Sequence, residues 1–173
     1  MSRLTTIRWL TTLFLVVAVL LLVAVVKSTP AQTLGMVADT ATNKVIVFDT
    51  DTDTVLGSVP LGGGLIGDCS VTSDQTLGFV TDLVSRIWVI DLAASPPVLA
   101  AAPNPIMISN PGEDTALTHD DRFLVVCDGF GTHPVSVIDV ATRTEVETFS
   151  LGTDCTGRRV RRRLRARDLV CQE

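Results

Sequence analysis

The chain has 173 residues, enough for one domain of ordinary size with a sizeable apolar core. Its formal charge of −5 conceals an acidic body, because residues 28–156 hold four Lys or Arg residues against seventeen Asp or Glu residues, a balance of −13. A body with this charge repels nucleic acid, so nucleic acid is excluded as a partner.

The N-terminus has the pattern of a targeting segment. Arg3 and Arg8 precede an apolar stretch, residues 9–26, which small and polar residues follow. We therefore predict a hydrophobic helix over residues 1–31, as a signal peptide or a signal anchor. Cleavage after Ala31 is favoured, because the uninterrupted apolar core of fourteen residues is shorter than the ~20 that span a hydrocarbon layer. Either alternative predicts an extracytoplasmic body that is periplasmic, secreted or at the cell surface, and membrane-anchored if the segment is uncleaved.

An internal repeat runs through the body of the chain. Its first pattern is an apolar run that ends in aspartate, and Asp49, Asp91 and Asp139 are 42 and 48 residues apart. A second pattern relates "DCSVTSDQTLGFVTD" from Asp68 to "DTALTHDDRFLVVCD" from Asp114, with every aspartate displaced by 46 residues. Two patterns with one period indicate a repeated structural unit.

Each unit is predicted to contain four short β-strands. Runs such as "FLVVC" are apolar on both faces, as in a strand between packed sheets, whereas "TEVETFS" alternates polar and apolar residues. Aspartate followed by Thr or small residues is typical of a tight turn. Four strands in about 45 residues is the period of a β-propeller blade. The expected strands begin at Leu34, Lys44 and Thr54; at Ile66, Thr76, Arg86 and Pro97; and at Glu113, Arg122, Val135 and Thr144.

The segments "VIVFDTDTDTVLGSVPLG" and "VSVIDVATRTEVETFSLG", with the "VTSDQTLGFVTD" type of segment beside them, resemble the YVTN repeats of bacterial and archaeal β-propellers. The resemblance extends from Leu34 to Cys155, although "TSDQ" and "THDD" stand where the family has a proline-glycine turn. It implies a seven-bladed propeller, of which this chain is a truncated part. The predicted fold is all-β: a partial β-propeller of about three four-stranded antiparallel blades over residues 32–155, after the N-terminal hydrophobic helix.

Residues 156–173 form a basic tail, in which residues 157–168 contain seven arginines. Three interpretations stand: a basic arm for an anionic partner, a solvated helix, and a frameshifted reading of the next repeat. Arginine codons of the form CGN, read one base later, encode Val, Ala, Asp or Gly. Suitable codons for residues 156–171 then give "VDGSVLVTS", which is similar to "SDQTLGFVTD". We adopt the frameshift as the hypothesis, and sequencing of the coding DNA across codon 156 tests it.

Aspartates are the weak candidates for metal ligands. "DTDTDT", with Asp49, Asp51 and Asp53, resembles the start of a calcium loop, but its sixth and twelfth positions are Thr54 and Pro60 rather than Gly and Glu. Turn capping is the favoured interpretation of this segment. The recurrent Asp68 and Asp114 precede or enter the first strand of a unit, where carboxylates near a propeller channel could bind a cation; capping is again favoured.

Other residues with chemical potential show no catalytic motif. His119 and His133 lack a nucleophile motif around them, and "LGGGLIGD" from Leu61 joins strand to strand without a helix that could cradle phosphate. The cysteines lack metal-site spacing, and a disulfide is permitted in an oxidising compartment. Its members are open among Cys69, Cys127 and Cys155.

The predicted function is that of an exported binding or scaffold module, without catalysis and without a cofactor. Its partner would be an unknown ligand or a surface protein. Two alternatives stand beside this prediction: a fragment of a propeller enzyme of the lactonase or quinoprotein dehydrogenase kind, and a truncated gene product without function. The fold itself does not decide between them, because propellers host both binders and catalysts.

Overall fold

Twelve β-strands form three antiparallel sheets in the part of the chain that the structure describes. The structure, a computed structural model, describes residues 32–128 and 134–150, in which there are strands and turns but no helix. Sheet 1 contains β1 to β3, sheet 2 contains β4 to β8, and sheet 3 contains β9 to β12. The strands are β1 (Leu34–Asp39), β2 (Lys44–Asp49), β3 (Thr54–Pro60), β4 (Ile66–Val71), β5 (Leu77–Asp82), β6 (Arg86–Asp91), β7 (Val98–Leu99), β8 (Ile106–Met107), β9 (Asp114–Leu117), β10 (Phe123–Cys127), β11 (Pro134–Asp139) and β12 (Thr144–Ser150).

The predicted all-β class is confirmed. All eleven strands expected from the repeat are present, and each begins within one residue of its predicted start. Strand β2 shows why the prediction succeeds: Val45 and Val47 are fully buried, whereas Ile46 and Phe48 on the opposite face are partly exposed. β-branched residues favour the extended backbone, and their alternation directs one set of side chains into the core.

Sheet 2 departs from the predicted four strands, because it has five. Its outer edge carries two short strands, β7 and β8, and both pair with β6. Residues 96–105 contain four prolines, which cannot donate to a strand ladder and so interrupt this edge. Between the two short strands, Asn104 Oδ1 accepts a hydrogen bond from Val89 N at 3.0 Å, and Asn104 Nδ2 donates to Val89 O at 2.7 Å.

The sheets pack face to face at two junctions. Each sheet has a trailing face, which in sheets 2 and 3 lies against the preceding sheet, and a leading face, which in sheets 1 and 2 lies against the following one. At the first junction, the leading face of sheet 1 meets the trailing face of sheet 2, with a core of Val45, Val47, Val59, Val80, Trp88 and Ile90. At the second junction, the leading face of sheet 2 meets the trailing face of sheet 3, with a core of Phe79, Ile87, Val89, Leu124, Val126 and Ile138.

Strand β4 contacts β1 on one side and β9 on the other, so the innermost strands of the three sheets lie side by side. The approach of β4 to β9 is close enough to require glycine. A Cβ atom at Gly67 would lie 2.6 Å from the carbonyl oxygen of Gly112 and 2.9 Å from that of Glu113. Both contacts are with backbone, which cannot rotate away, so the seam between these strands depends on Gly67.

The described strands belong to one compact unit. The predicted N-terminal hydrophobic helix and the basic tail lie outside the described residues. Within residues 32–128 and 134–150, no helix has the length and apolar character needed to cross a membrane.

Candidate binding surface

The recurrent aspartates at strand ends cap the turns that follow them. Asp49 Oδ1 accepts hydrogen bonds from the backbone N–H of Asp51 at 2.8 Å and of Thr52 at 3.2 Å. Asp91 Oδ1 likewise accepts hydrogen bonds from the backbone N–H of Ala93 and of Ala94. Asp139 Oδ1 accepts one from the backbone N–H of Thr142 at 2.8 Å. Short polar side chains that fold back onto their own turn are the physical basis of this sequence preference.

Hydrogen bonds to these turn carboxylates also stabilise their charged form. The pKa of four aspartates lies below the ordinary value of 3.8. In each case a hydrogen bond to the carboxylate is the largest cause of the lowered pKa. For Asp39, Asp74 and Asp120 the donor is a threonine hydroxyl, from Thr42, Thr72 and Thr118 respectively, and for Asp139 it is the backbone N–H of Thr142. The charged carboxylates therefore stabilise the turns in which they lie.

The candidate metal ligands do not converge. Asp51 Oδ2 accepts a hydrogen bond from Thr33 N at 3.1 Å, and Asp53 is exposed in the same turn as Asp49. Asp68 lies in β4, where its Oδ2 accepts from Thr115 N of β9 at 3.2 Å, and Asp114 begins β9. Across the described ranges, no group of three or more His, Cys, Asp or Glu residues could hold a metal ion. Metal binding by these aspartates stays a prediction.

The cysteines and histidines that the sequence singles out occupy separate places. Cys69 Sγ of β4 donates to the carbonyl oxygen of Met36 at 3.4 Å, and Cys127 is buried at the end of β10. His119 is exposed in the turn between β9 and β10. His133 and Cys155 lie outside the described residues, so the disulfide also stays a prediction.

An ion pair anchors the glycine-rich connection between β3 and β4, which joins strand to strand as predicted. Arg86 Nε contacts Asp82 Oδ2 at 2.7 Å, and Arg86 Nη2 donates to the carbonyl oxygen of Gly63 at 2.5 Å. Asp82 is almost fully buried, and its Oδ1 accepts from the backbone N–H of Val84 and of Arg86, each at 3.0 Å. The turn between β5 and β6 is thereby fixed to the glycine-rich connection.

Three large aliphatic side chains are exposed around this fixed turn, and we call them the turn patch: Leu65, Val84 and Met107. Their exposed fractions are 65%, 56% and 65%. The backbone holds them together, because Leu83 N donates to Leu65 O at 2.9 Å and Met107 lies opposite Arg86 in the β6–β8 pairing. Sequence analysis missed this patch; an available signal was the placement of Leu65 and Val84 beside glycine and serine, in segments expected to be turns.

Comparisons with known proteins identify the fold alone. No family model matches the chain, and no curated protein matches it. A functionally unknown protein from Desulfotomaculum acetoxidans matches with a TM-score of 0.62 and 22% identity over 70% of this chain. Kuenenia stuttgartiensis hydrazine synthase matches with a TM-score of 0.58 and 18% identity over 68%.

The chain spans 38% and 34% of the length of those two solved chains. At these identities the likeness supports the all-β arrangement of sheets and carries no activity with it. Membership of the YVTN-repeat family therefore stays a prediction.

Proposed function

We propose that the three sheets are consecutive blades of an incomplete β-propeller, exported from the cytoplasm, that acts as a binding or scaffold module. The repeated packing supports the architectural half of this proposal. At both junctions the leading face of one sheet covers the trailing face of the next, and the innermost strands β1, β4 and β9 lie side by side. Radial repetition of antiparallel sheets is the architecture of a propeller.

The turn patch is the observation that carries the binding function. Contiguous exposed apolar side chains surrounded by polar groups mark interaction surfaces on soluble proteins. Here Val84 lies in the turn that the Arg86–Asp82 ion pair holds in place, and backbone pairing holds Leu65 and Met107 beside it. A rigid apolar surface loses little conformational entropy when a partner covers it, so it is suited to binding. The partner that fits is a surface protein or ligand with an apolar contact area.

Site-specific photo-cross-linking in the producing cells tests this binding. A photoreactive phenylalanine replaces Val84 in one variant and Val146, which is 54% exposed in β12 of sheet 3, in the matched control. We expect a discrete heavier adduct from position 84 and none from position 146. Leu65→Asp and Met107→Asp, added to the position 84 variant, should remove the adduct because each places a charge in the contact area. The same adducts from both positions, or none from position 84, would contradict the proposal.

The second candidate is a fragment of a propeller enzyme. It stands beside the binding module because the propeller architecture hosts catalysts as well as binders. This candidate requires that further chain supplies the catalytic groups, because the described aspartates Asp39, Asp49, Asp91 and Asp139 cap turns. An absorbance band from a bound cofactor in the protein purified from its producing cells would support it over the binding module.

A further inference from the structure

The outer edge of sheet 2 passes beside the turn patch at β8. Strand β8 pairs with β6 on one side, and no described strand pairs with it on the other. Met107, the member of the turn patch that lies in β8, is therefore an edge residue as well as an exposed apolar one. The direction of its backbone N–H and C=O groups determines whether a partner can bind the backbone as well as the side chain.

The hydrogen bonds between β6 and β8 direct the backbone groups of Met107 away from β6. Residues along an antiparallel strand pair alternate between hydrogen-bonded pairs and pairs without hydrogen bonds. Ile108 N donates to Ser85 O at 3.0 Å, one position along from the Arg86–Met107 pair. The Arg86–Met107 pair is therefore one without hydrogen bonds, and the N–H and C=O of Met107 point outward from the edge of the sheet.

The outward-pointing positions on either side of Met107 are closed to a further strand. Pro105 has no N–H group to donate. Ser109 N already donates to the carboxylate of Glu145 in sheet 3, at 3.0 Å to Oε2. Prolines and charged side chains commonly protect edge strands from pairing with other chains. Met107 has neither protection, so the edge is open at the position where the apolar side chains are exposed.

The open N–H and C=O of Met107 identify the occupant by its chemistry. They are the two groups that a residue of another β-strand engages in a hydrogen-bonded pair. A lipid or an apolar small molecule that covered the turn patch would leave both groups unpaired beneath it, which costs free energy. A peptide segment satisfies both groups and brings side chains to the turn patch at the same time.

The geometry of the sheet determines which side chain of the segment meets the turn patch. Directly opposite residues of paired strands place their side chains on the same face. Met107 lies opposite Arg86, whose guanidinium lies over the Trp88 ring on the trailing face of sheet 2. The glycine-rich connection covers the same face, because a Cβ atom at Gly64 would lie 2.7 Å from Arg86 Nη2 and 3.0 Å from Val84 Cγ2. The partner residue opposite Met107 thus projects from the face that carries the turn patch, where an apolar side chain fits.

We propose that the partner at the turn patch is a protein that adds an extended segment to the outer edge of β8, with one apolar residue hydrogen-bonded to the N–H and C=O of Met107. This inference rests on the proposed function of the turn patch and narrows its partner from a surface protein or ligand to a peptide chain. Because closed positions flank Met107, the paired stretch is short. Main-chain pairing sets the position of the segment, and the apolar side chains supply most of the contact area.

Removal of the Met107 N–H tests the pairing in the photo-cross-linking experiment at position 84. Met107→Pro deletes the outward donor without removing a hydrogen bond between β6 and β8, and Met107→Val keeps the donor with a side chain of similar size to proline. We expect Met107→Pro to lower the yield of the adduct about tenfold relative to Met107→Val, because the buried partner carbonyl loses its donor. Leu99→Pro, the second control, places proline in β7 where the N–H also points away from β6, and it should leave the yield unchanged.

The outcomes separate this inference from the proposed function. If the chain with Met107 intact gives no adduct from position 84, both are wrong. An adduct that Met107→Pro and Met107→Val leave at equal yield overturns the peptide pairing alone, because the turn patch then binds through its side chains only. Unchanged thermal unfolding of each variant shows that the sheet remains folded.

Hydrogen exchange tests the same pairing without a proline. The purified adduct from position 84 is compared with the uncross-linked variant by mass spectrometry of peptic peptides. The peptide that contains Met107 should take up about one deuterium fewer in the adduct, because the Met107 N–H becomes hydrogen-bonded to the partner. The peptide that contains Leu99 should show no difference. Equal uptake by the Met107 peptide in the two samples overturns the proposal, even if a proline variant fails to fold.

Discussion

The two junctions between sheets are held in different ways. The second junction combines its apolar core with directional polar contacts: Ser73 N donates to Asp121 Oδ2 at 2.7 Å, and Ser109 N donates to Glu145 Oε2 at 3.0 Å. Fewer described polar contacts cross the first junction, where Leu34 N donates to Gln75 Oε1 and Cys69 Sγ donates to Met36 O. Its core includes the Trp88 side chain packed among valines, with the indole Nε1 buried without a hydrogen-bond partner.

This difference teaches how one repeat can make two kinds of contact. Apolar packing is non-directional and so tolerates small displacements, whereas a hydrogen bond is directional and requires one register. Ser70 Oγ and Thr115 Oγ1 lie 2.5 Å apart across β4 and β9, so the second junction is also fixed along its innermost strands. The first junction should therefore accommodate substitutions that the second does not.

The largest expected effect comes from a methyl group placed in the seam of the second junction. Gly67→Ala should lower the free energy of unfolding by about 3 kcal/mol, because its Cβ meets two backbone carbonyl oxygens that cannot move independently. The matched variant is Gly78→Ala at the first junction, where the new Cβ meets the flexible thioether of Met36; we expect a loss of about 1 kcal/mol or less. Urea unfolding measures both, and equal losses would remove the distinction between the junctions.

An intermediate effect is expected at the ion pair beside the first junction. Arg86→Met should lower the free energy of unfolding by about 2 kcal/mol, because it leaves the buried Asp82 carboxylate without its cation and the Gly63 carbonyl without its donor. Arg122→Met is the control, because the Arg122 guanidinium stacks on the Phe123 ring at the surface. This substitution should lower the free energy of unfolding by about 0.5 kcal/mol or less. A smaller loss for Arg86 than for Arg122 would show that the turn does not depend on this ion pair.

The smallest effect concerns the acid response of the second junction. Burial, the largest influence, raises the pKa of Glu145, but hydrogen bonds from Ser109 and Ser136 outweigh it and hold the pKa below the ordinary value of 4.5. A carboxyl with a lowered folded-state pKa stabilises the fold above its unfolded-state pKa, and this stability is lost as the pH falls through the folded-state pKa.

Glu145→Gln keeps an oxygen acceptor for Ser109 but does not titrate. We expect its free energy of unfolding to fall less steeply than that of the wild type when the pH is lowered from about 5 to about 3. Urea unfolding at a series of pH values measures the two slopes. Parallel curves would mean that the contact between Ser109 and Glu145 contributes no pH-dependent stability to the second junction.

Local patterns predicted the strands, and contacts between distant residues could not be predicted from them. The apolar runs ending at Asp49, Asp91 and Asp139 encode strand and turn within a few residues, so their period located each strand. Strand β8 was missed because the repeat predicts four strands in each unit, and the two residues Ile106 and Met107 form a fifth strand of sheet 2.

The turn patch was missed for a different reason. The hydrogen bond from Leu83 N to Leu65 O and the pairing of β6 with β8 bring Leu65, Val84 and Met107 together, and no local pattern records these contacts. The favoured capping interpretation of Asp49 needed only neighbouring residues, and the structure shows those hydrogen bonds. The hydrogen bonds within a turn can be predicted from its sequence, whereas a surface assembled from distant parts of the chain cannot.

Asn104 gives sheet 2 a property that its short outer strands lack. Its amide group presents one acceptor to Val89 N and one donor to Val89 O, as the backbone of a neighbouring strand residue would, and Nδ2 also reaches Ala100 O at 3.0 Å. A single side chain thus imitates a peptide bond at the interruption between β7 and β8. An open edge is a template for aggregation with other chains. The Asn104 amide occupies the backbone N–H and C=O of Val89, so these groups are not open to a strand of another chain where the proline-rich segment interrupts the edge.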